Sequence, residues 1–309
     1  MDTFVCSSWY FFRFADPKNE KEFASKEQIK KWLPVDLYVG GAEHTVLHLL
    51  YARFFTKALH KLGYVDFREP FLKLRHPGII LAEDGKKMSK SLGNVVNPDI
   101  QIASHGADTL RMYEMFLGPL EDMKPWNTNN ISGTARFLDK VYAYVESWKE
   151  GKGSNALERT IQETIQKVGK DIEAFKFNTA ISALMICLNK MRALEEKITR
   201  SQLEAFLKIL APFAPHLSEE LWSMIGNKES IHQESWPSFD SNIVQDKTTK
   251  LVLQVNGKIK DIIEVASDIS QKEVEEQALS NEKVLKVLAG QKPTRIVFVR
   301  NRLLNIVTS

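Results

Sequence analysis

Cysteine is scarce in this sequence of 309 residues, because only Cys6 and Cys187 occur, far apart and without a Cys-x-x-Cys pair. A disulfide framework and a structural zinc site are therefore not expected, and two lone thiols suit a reducing compartment such as the cytoplasm. No stretch approaches the ~18 consecutive apolar residues of a membrane span. The N-terminus lacks the basic region and apolar core of a signal peptide. We therefore expect a cytoplasmic protein that does not act at a membrane.

Charge of either sign is also not in excess. The 42 Lys and Arg residues nearly balance the 39 Asp and Glu residues, which leaves a formal net charge of +3. This balance excludes a histone-like protein, although it is compatible with a local basic face. Hydrophobic residues make up 43% and charged residues 26%, which is typical of a globular chain. At ~150 residues per domain, the length predicts about two domains.

Residues 1–122 show the pattern of an α/β domain. A short apolar run ends at Gly40-Gly41, and apolar residues then recur at helical spacing from Val46 to Leu62. A strand that ends at two glycines and leads into a helix is typical of an α/β crossover unit. A second short strand is predicted at Gly78-Ile79-Ile80-Leu81, and a polar loop between Glu83 and Gly93 follows it.

Residues 123–235 are predicted to form an up-and-down helical bundle. Apolar stripes at helical spacing occupy 157–175, 181–194 and 203–210, and a fourth helix is expected after two prolines. Ser201 and Glu204 stand three residues apart at the start of the third stripe, which predicts a capping box with Ser201 as the N-cap.

The remainder of the chain predicts a linker and a third domain. Residues 236–248 are polar and turn-rich, which is typical of a linker. In residues 249–309, alternating apolar residues on both sides of Asn256-Gly257 indicate a hairpin. A helix is expected over 270–288, and residues 295–300 alternate again, which together predict a small α+β domain.

The most specific local pattern is Lys87-Met88-Ser89-Lys90-Ser91, followed by Leu92-Gly93-Asn94. A short lysine-rich run is most often a solvated loop. Two lysines three residues apart can instead place two ammonium groups around a polyphosphate, with serine hydroxyls as further donors. Charge that such a loop supplies as pyrophosphate leaves would stabilise the transition state more than the ground state.

This pentapeptide with its Leu-Gly-Asn extension resembles the second signature of the class I aminoacyl-tRNA synthetases, KMSKS. Other segments resemble the leucyl-tRNA synthetases in particular and keep the same order. They are Met1–Val5 with Ser7–Tyr10, Gly40–His44 with Leu47–Tyr51, Gly106–Thr109, Asn178–Ala180, Ala211–His216 and Val255–Lys258. The resemblance covers nearly the whole chain. It implies a multidomain fold with a partial Rossmann-type α/β catalytic domain, an all-α anticodon-binding-like bundle and a small α+β domain.

The resemblance assigns ATP contacts to three segments. In the family the KMSKS lysines neutralise the ATP phosphates, so Lys87 and Lys90 are the expected catalytic residues, within an ATP-binding loop that also includes Met88, Ser89 and Ser91. The Gly-Gly-x-Glu-His segment contacts the adenosine and the adenylate, which points to Gly41, Glu43 and His44. Backbone groups at Ile79 and Ile80 would bind the adenine. ATP is expected to enter with Mg²⁺ as a substrate complex, and no protein-bound metal is expected.

The Ser-Ser-Trp-Tyr segment lines the amino-acid side of the pocket in the family. Ser7 and Tyr10 are therefore expected there, together with His44. His48 lies on a helix that carries leucines, and we interpret it as structural. Cys6 is not expected to be a catalytic thiol, since no base is assigned to it.

Two features of the family are missing from the sequence. No two of the seven histidines are three residues apart, so the first class I signature, His-x-Gly-His, is absent. No block is long enough for the editing domain, which the family needs because a hydrophobic pocket separates near-isosteric amino acids by only ~1–3 kcal/mol. The chain is expected to be a C-terminal portion: a subunit of a split enzyme, a truncated gene product or a fragment. A complementary chain with the N-terminal catalytic half and the editing domain is an expected partner.

The C-terminal domain carries the positive charge. Between residues 249 and 309 there are ten Lys and Arg against seven Asp and Glu, and no acidic residue follows Glu282. In the family this appended domain reaches the corner of the tRNA, and basic side chains bind phosphates without regard to sequence. The predicted tRNA-binding residues are Lys283, Lys286, Lys292, Arg295, Arg300 and Arg302. An ordinary solvated basic face is the alternative interpretation.

The resemblance thus implies a leucine–tRNA ligase, which activates leucine with ATP to leucyl-adenylate and transfers it to tRNA(Leu). Two alternatives stay open. One is a tRNA-binding module without chemistry of its own, which would have no need to retain Lys87, Lys90, Glu43 and His44. The other is a portion of a valyl- or isoleucyl-type synthetase, although the isoleucyl relatives typically carry an aspartate-containing version of the Gly-Gly-Ala-Glu-His segment.

Overall fold

The computed structural model describes residues 2–194, 197–244, 248–266, 269–291 and 293–308. The chain divides into two compact units, Met1–Ser238 and Phe239–Ser309. The boundary between them falls within residues 236–248, the predicted linker, where Ser241–Val244 forms a short helix. Among the described residues, no helix combines the length and the apolar character that a membrane crossing requires.

The first part of the larger unit combines short helices with two-residue strands. Its elements are α1 (Tyr10–Ala15), α2 (Lys26–Trp32), β1 (Tyr38–Val39), α3 (His48–Lys61), β2 (Leu74–Arg75), β3 (Ile80–Leu81), α4 (Pro98–His105), α5 (Ala107–Phe116) and β4 (Lys124–Pro125). Strand β1 pairs in parallel with β2, and β3 pairs in parallel with β4. The path from β1 through α3 to β2 is therefore a crossover between parallel strands, as the double glycine predicts.

Helix α3 turns much of its apolar surface toward solvent. Its buried side chains include His48, Leu49 and Ala52. In contrast, Leu50 is 51% exposed and Phe54 is 62% exposed, and Leu47 just before the helix is also exposed. The apolar spacing predicts the helix correctly, but the stripe does not pack against the described core. Apolar residues grouped on one helix face in this way mark an interaction surface.

The second part of the larger unit is the predicted helical bundle, which is confirmed. Its helices are α6 (Ile131–Glu146), α7 (Asn155–Glu173), α8 (Phe177–Ala193), α9 (Arg200–Leu210) and α10 (Pro215–Met224). The predicted stripes form one core, in which Ile161, Leu184 and Phe206 are almost completely buried. Interior packing of this kind, rather than helix propensity, supplies most of the stability of such helices.

The start of helix α9 corrects one sequence prediction. The N-cap is Thr199 rather than Ser201: the Thr199 hydroxyl accepts from the Gln202 amide, and the Gln202 side chain accepts from the Thr199 amide. Both Thr-x-x-Gln and Ser-x-x-Glu satisfy the capping-box pattern. The true start lies two residues earlier, which places Gln202 in the buried first turn.

Helix α10 is capped from outside the bundle. Its own N-cap position is Ala214, which has no side-chain acceptor. The carboxylate of Asp108, on α5, accepts from the amide of Leu217 at 2.7 Å and from the amide of His216 at 3.4 Å. It also lies 2.8 Å from His216 Nδ1. A buried carboxylate of the α/β part thus supplies the helix cap that the bundle lacks.

The smaller unit is a four-stranded sheet with two packed helices. Its elements are α11 (Ser241–Val244), β5 (Thr248–Val255), β6 (Lys258–Ala266), α12 (Gln271–Ser280), α13 (Glu282–Leu288), β7 (Arg295–Val299) and β8 (Leu303–Val307). The strand order is β6-β5-β8-β7, with β5 and β8 parallel and the other neighbours antiparallel. Leu251 and Leu253 of β5 pack under Val274 and Val284 of the helices. The α+β architecture is as predicted.

Two details of this unit differ from the sequence prediction. The helix expected over 270–288 is two helices, because the chain leaves the helical conformation at Asn281 and the Asn281 side chain caps α13 by accepting from the amides of Lys283 and Val284. Strand β8 was not predicted from its apolar residues. It becomes the central partner of both β5 and β7.

Candidate active site

A pocket of about 400 Å³ opens at the carboxyl end of strand β1. Four of the predicted site residues line it: Ser7, Tyr10, Gly41 and His44. The parallel pairing of β1 with β2 brings Leu74 and the following His76 to the same edge. Because the carboxyl ends of parallel strands meet at one edge of a sheet, residues from distant parts of the chain converge there.

The interior of this pocket holds a chain of three polar side chains that the sequence analysis did not identify as a unit. The hydroxyls of Tyr10 and Tyr38 are 2.8 Å apart, and the Tyr38 hydroxyl is 2.6 Å from His48 Nε2. The ring of Tyr38 stacks on Phe71 with centroids 3.8 Å apart, which fixes its direction. His48, which we interpreted as structural, therefore belongs to the pocket wall.

Burial favours the neutral forms of Tyr38 and His48. Burial first, and then the neighbouring Tyr10 hydroxyl, raise the pKa of Tyr38 above its ordinary value of 10. Burial, with a smaller contribution from His44, lowers the pKa of His48. The pocket therefore offers uncharged hydrogen-bonding groups within apolar walls, an arrangement that suits a small ligand with an apolar side chain.

The glycine segment leads from β1 to a single 3₁₀ turn, Ala42–His44. The Gly40 carbonyl lies 2.7 Å from His76 Nδ1, which ties the segment to the chain that follows β2. Glu43 does not line the pocket and lies exposed beside it, with its carboxylate close to Gly41. A Cβ at position 41 would meet that carboxylate where it now lies, although the exposed end of the Glu43 side chain is free to move aside.

The KMSKS loop is held in place by contacts that are separate from those of the pocket. Its base is a tight hairpin, in which Leu81 and Lys87 form an antiparallel bridge and the Ala82 amide donates to the Lys86 carbonyl at 2.8 Å. Lys87 and Lys90 are exposed, whereas Met88 packs against the apolar cluster formed by Leu110, Tyr113, Trp126 and Ile131. The backbone of the loop is thereby anchored while its ammonium groups face solvent.

Glu83, at the base of this loop, forms a hydrogen bond with the segment that leads into helix α6 of the bundle. Glu83 Oε1 accepts from the amide of Thr128 at 2.8 Å. The backbone and side chain of Thr128 hold the pKa of Glu83 below its ordinary value. The Trp126 indole donates to the Thr128 hydroxyl at 3.0 Å, so one turn joins the loop to the start of α6.

The two residues predicted to bind adenine through their backbone differ in what they can offer. The carbonyl of Ile79 already accepts from the Lys124 amide at 3.2 Å. The next carbonyl on the same side of strand β3 is that of Leu81, which accepts from the Trp126 amide at 2.8 Å. Since backbone groups of successive residues point to opposite sides of a strand, those of Ile80 are directed away from β4. Ile80 is thus the better placed of the pair.

The predicted basic residues of the smaller unit that the structure describes lie in three places. Lys283 and Lys286 lie on α13, whereas Arg300 and Arg302 share the turn between β7 and β8, and Arg295 begins β7. All five are exposed, and Lys292 lies outside the described residues. Lys283 is not available as a simple phosphate ligand, because its ammonium group pairs with Asp261 at 2.7 Å. The pKa of Asp261 is lowered to about 2, chiefly by its hydrogen bond from Lys283 and then by that from Asn281.

Comparison with known proteins places these features in one family. Residues 1–124 match the family of class I tRNA synthetases for I, L, M and V, and residues 155–276 match the anticodon-binding domain of tRNA ligases. The chain carries domains of the class I aminoacyl-tRNA synthetases. The class I resemblance and the predicted order of an α/β catalytic part and a helical anticodon-binding domain are confirmed.

This synthetase chain is also similar to solved structures. It superimposes over its whole length on the agnB2 LeuRS of Agrobacterium radiobacter K84, solved as a ternary complex with tRNA and LeuAMS, with 33% sequence identity and a TM-score of 0.87. The match covers 42% of that LeuRS chain, so this chain spans less than half the length of the relative. The Mycobacterium tuberculosis methionyl-tRNA synthetase with methionyl-adenylate shares the fold at 17% identity, over 70% of this chain and 48% of that one, with a TM-score of 0.51.

Proposed function

We propose that this chain forms part of a leucine–tRNA ligase, in which the β1–β2 pocket receives leucine and the KMSKS loop receives the phosphates of Mg²⁺-bound ATP. The observation that carries the proposal is the match to a LeuRS over the entire chain at 33% identity. The pocket supports it, because neutral tyrosine and histidine groups within apolar walls suit a branched aliphatic side chain better than a charged one.

In the proposed reaction, a carboxylate oxygen of leucine attacks the α-phosphorus of ATP. The bond from that phosphorus to the bridging oxygen breaks, which releases pyrophosphate and leaves leucyl-adenylate. The terminal ribose hydroxyl of tRNA(Leu) then attacks the leucyl carbonyl and releases AMP. No covalent bond to the protein forms, so the protein acts by positioning and by stabilising charge.

Lys87 and Lys90 act on the charge that develops on the leaving pyrophosphate. Both are exposed on a loop with an anchored backbone, so they can reach phosphate oxygens without losing a buried partner. Gly41 allows the nucleotide to approach the backbone, Glu43 accepts from the ribose hydroxyls, and the backbone of Ile80 binds the adenine. Ser7, Tyr10 and His44 face leucine, and Mg²⁺ enters bound to ATP.

The reaction also needs the part of the catalytic domain that carries the His-x-Gly-His signature, on the same polypeptide or on a complementary chain. We propose that this part covers the exposed apolar face of Leu47, Leu50 and Phe54. These side chains are 40–62% exposed; Leu50 and Phe54 lie on α3, the helix that also supplies His48 to the pocket, and Leu47 directly precedes it. Packing another α/β element against this face would bury the apolar surface and close the pocket. We place the assembly in the cytoplasm, where the free thiols of Cys6 and Cys187 stay reduced.

The test is ATP–pyrophosphate exchange driven by leucine, valine, isoleucine or methionine. It is run with this chain alone and with this chain joined to, or mixed with, the N-terminal part of a LeuRS. The proposal expects leucine-dependent exchange only when both parts are present. Exchange driven best by valine or isoleucine would assign the chain to a neighbouring specificity. If a folded assembly binds tRNA but shows no exchange with any of these amino acids, the chain is a tRNA-binding module instead.

A further inference from the structure

One polar side chain within the KMSKS segment makes contacts that phosphate binding does not explain. Asn94 is half-buried, and its Oδ1 accepts from the Ser89 amide at 2.8 Å. Its Nδ2 donates to the Lys87 carbonyl at 3.3 Å. A single amide therefore holds the backbone on both sides of Met88. An amide side chain is suited to this task because it carries a donor and an acceptor side by side.

The opposite side of the same backbone is held by packing. Met88 contacts the apolar cluster that includes Leu110 and Trp126. The segment from Lys87 to Ser89 is thus fixed by an apolar contact through the side chain of Met88 and by two polar contacts through its backbone. If only one of these two constraints were present, the segment could still rotate about that single point of attachment.

The turn that follows extends this control to Lys90. Residues Lys90–Leu92 form one 3₁₀ turn, closed by a bond from the Gly93 amide to the Lys90 carbonyl at 3.3 Å. Gly93 lies in the left-handed region at φ +65°, a conformation that glycine adopts without steric cost. This reversal brings Asn94 back onto the start of the loop. Lys87 and Lys90 therefore both belong to a backbone loop that the Asn94 side chain closes.

We propose that Asn94 is a positioning residue, which clamps the backbone between Lys87 and Ser89 so that the ammonium groups of Lys87 and Lys90 are presented together to a polyphosphate. The inference rests on the proposed function, since it concerns how that loop is prepared for its ligand. Asn94 acts through the lysines and does not itself contact the phosphates. Its benefit is preorganisation, which lowers the cost of ordering the loop in the transition state.

The chain offers a matched control three residues later. The Asn97 side chain also accepts from a backbone amide two residues on, that of Asp99 at 2.9 Å, and it caps helix α4. It makes no contact with the KMSKS residues among its described bonds. Asn97→Ala therefore removes the same chemical group and one similar bond without releasing the loop.

The first experiment uses the full chain alone and requires no activity. Limited trypsin digestion, followed by mass spectrometry, measures the cleavage rate after Lys87 and Lys90. Asn94→Ala is expected to raise this rate several-fold, whereas Asn97→Ala leaves it unchanged. Equal rates for Asn94→Ala, Asn97→Ala and the unmodified chain would overturn the clamp.

The second experiment measures leucine-dependent exchange in the assembly that contains both catalytic parts. Asn94→Ala is expected to lower kcat roughly tenfold, which corresponds to about 1.4 kcal/mol of barrier, with the KM for ATP within about twofold. Because Asn94 acts through both lysines, adding Asn94→Ala to a variant that already carries Lys87→Ala and Lys90→Ala should slow exchange no further. A full kcat for Asn94→Ala in the otherwise unmodified assembly, or a further loss when Asn94→Ala is added to that double-lysine variant, would overturn the positioning role.

The two experiments separate the two proposals. An assembly of unmodified, folded parts without any exchange would refute the proposed function, and the digestion result would still decide whether Asn94 clamps the loop. Exchange by the unmodified assembly, together with unchanged digestion and kcat for Asn94→Ala, would uphold the proposed function and refute this inference.

Discussion

The buried carboxylate of Asp108 is predicted to hold helix α10 to the α/β part of the larger unit. It accepts two backbone amides of the first turn of α10 and lies 2.8 Å from His216 Nδ1. Hydrogen bonds to a charged group contribute ~1.5–3 kcal/mol each and a helix cap about 1 kcal/mol, but the carboxylate also loses hydration on burial. We therefore expect Asp108→Ala to lower the free energy of unfolding by about 2–4 kcal/mol rather than by the sum of its bonds.

The assay is urea unfolding of the full chain followed by far-ultraviolet circular dichroism, with thermal unfolding beside it. At ~2–4 °C per kcal/mol for a unit of this size, the loss corresponds to a fall in Tm on the order of 10 °C. Asp139→Ala is the matched control, because Asp139 is exposed and lines the same surface pocket as Asp108 and His216. His216→Ala should cost less than Asp108→Ala, since it leaves the two backbone amides bonded. A loss for Asp108→Ala below about 0.5 kcal/mol, the usual range for surface changes, would refute this account of the cap.

Of four further predictions, one concerns the pocket, one the loop and two the smaller unit. Tyr38→Phe keeps the stack on Phe71 but removes the hydroxyl between Tyr10 and His48. In the active assembly, the KM for leucine in exchange should therefore rise about tenfold, which corresponds to ~1.4 kcal/mol. An unchanged KM would contradict the pocket assignment. Lys90→Ala should lower exchange by at least about a hundredfold, or ~2.7 kcal/mol, and leave tRNA binding in a filter assay nearly intact; equal losses would mean that the loop contacts tRNA. Lys283→Ala should leave the salt dependence of tRNA binding unchanged, whereas Arg302→Ala should reduce its slope by roughly 0.7–0.9. The pKa of Asp261 is lowered in the folded state, so its pair with Lys283 stabilises the smaller unit at pH values above 3.8, the ordinary aspartate pKa. This stabilisation is lost as the pH falls toward 2. The pH dependence of unfolding of Lys283→Ala across that range should lack this component.

The helical part of the fold follows from the sequence because its helices bury one continuous face. Stripes such as Leu157, Ile161 and Ile165 specify both the helix and the side that packs, since each position is inside. In the α/β part the strands have only two residues, which is too short for an alternating pattern. There the double glycine at 40–41 was the stronger signal. Helix ends were less certain, since Thr199 and Ser201 both fit a cap and only the packing decides between them.

The candidate site was predictable where local sequence carries the chemistry, as in the KMSKS segment. It was not predictable where tertiary contacts assign the role. Nothing in the sequence near His48 distinguishes a core histidine from one that binds Tyr38, and that difference depends on Phe71 and on the register of β1 with β2. The bond between Asp108 and His216 joins positions too distant for any local pattern to indicate.

The pocket and the loop treat charge in opposite ways, and this contrast fits the two halves of the proposed reaction. A formal charge in the pocket wall would have to be desolvated and would not discriminate among aliphatic side chains. Tyr38 and His48, whose neutral forms are favoured by burial, are suited to that wall. The phosphates require charge, but only while pyrophosphate is leaving. Exposed lysines on an anchored backbone meet that requirement, because their ammonium groups stay hydrated until the ligand arrives while the backbone of the loop is already ordered. In the proposed reaction, recognition of the amino acid would thus depend on burial, and stabilisation of the leaving group would depend on exposure.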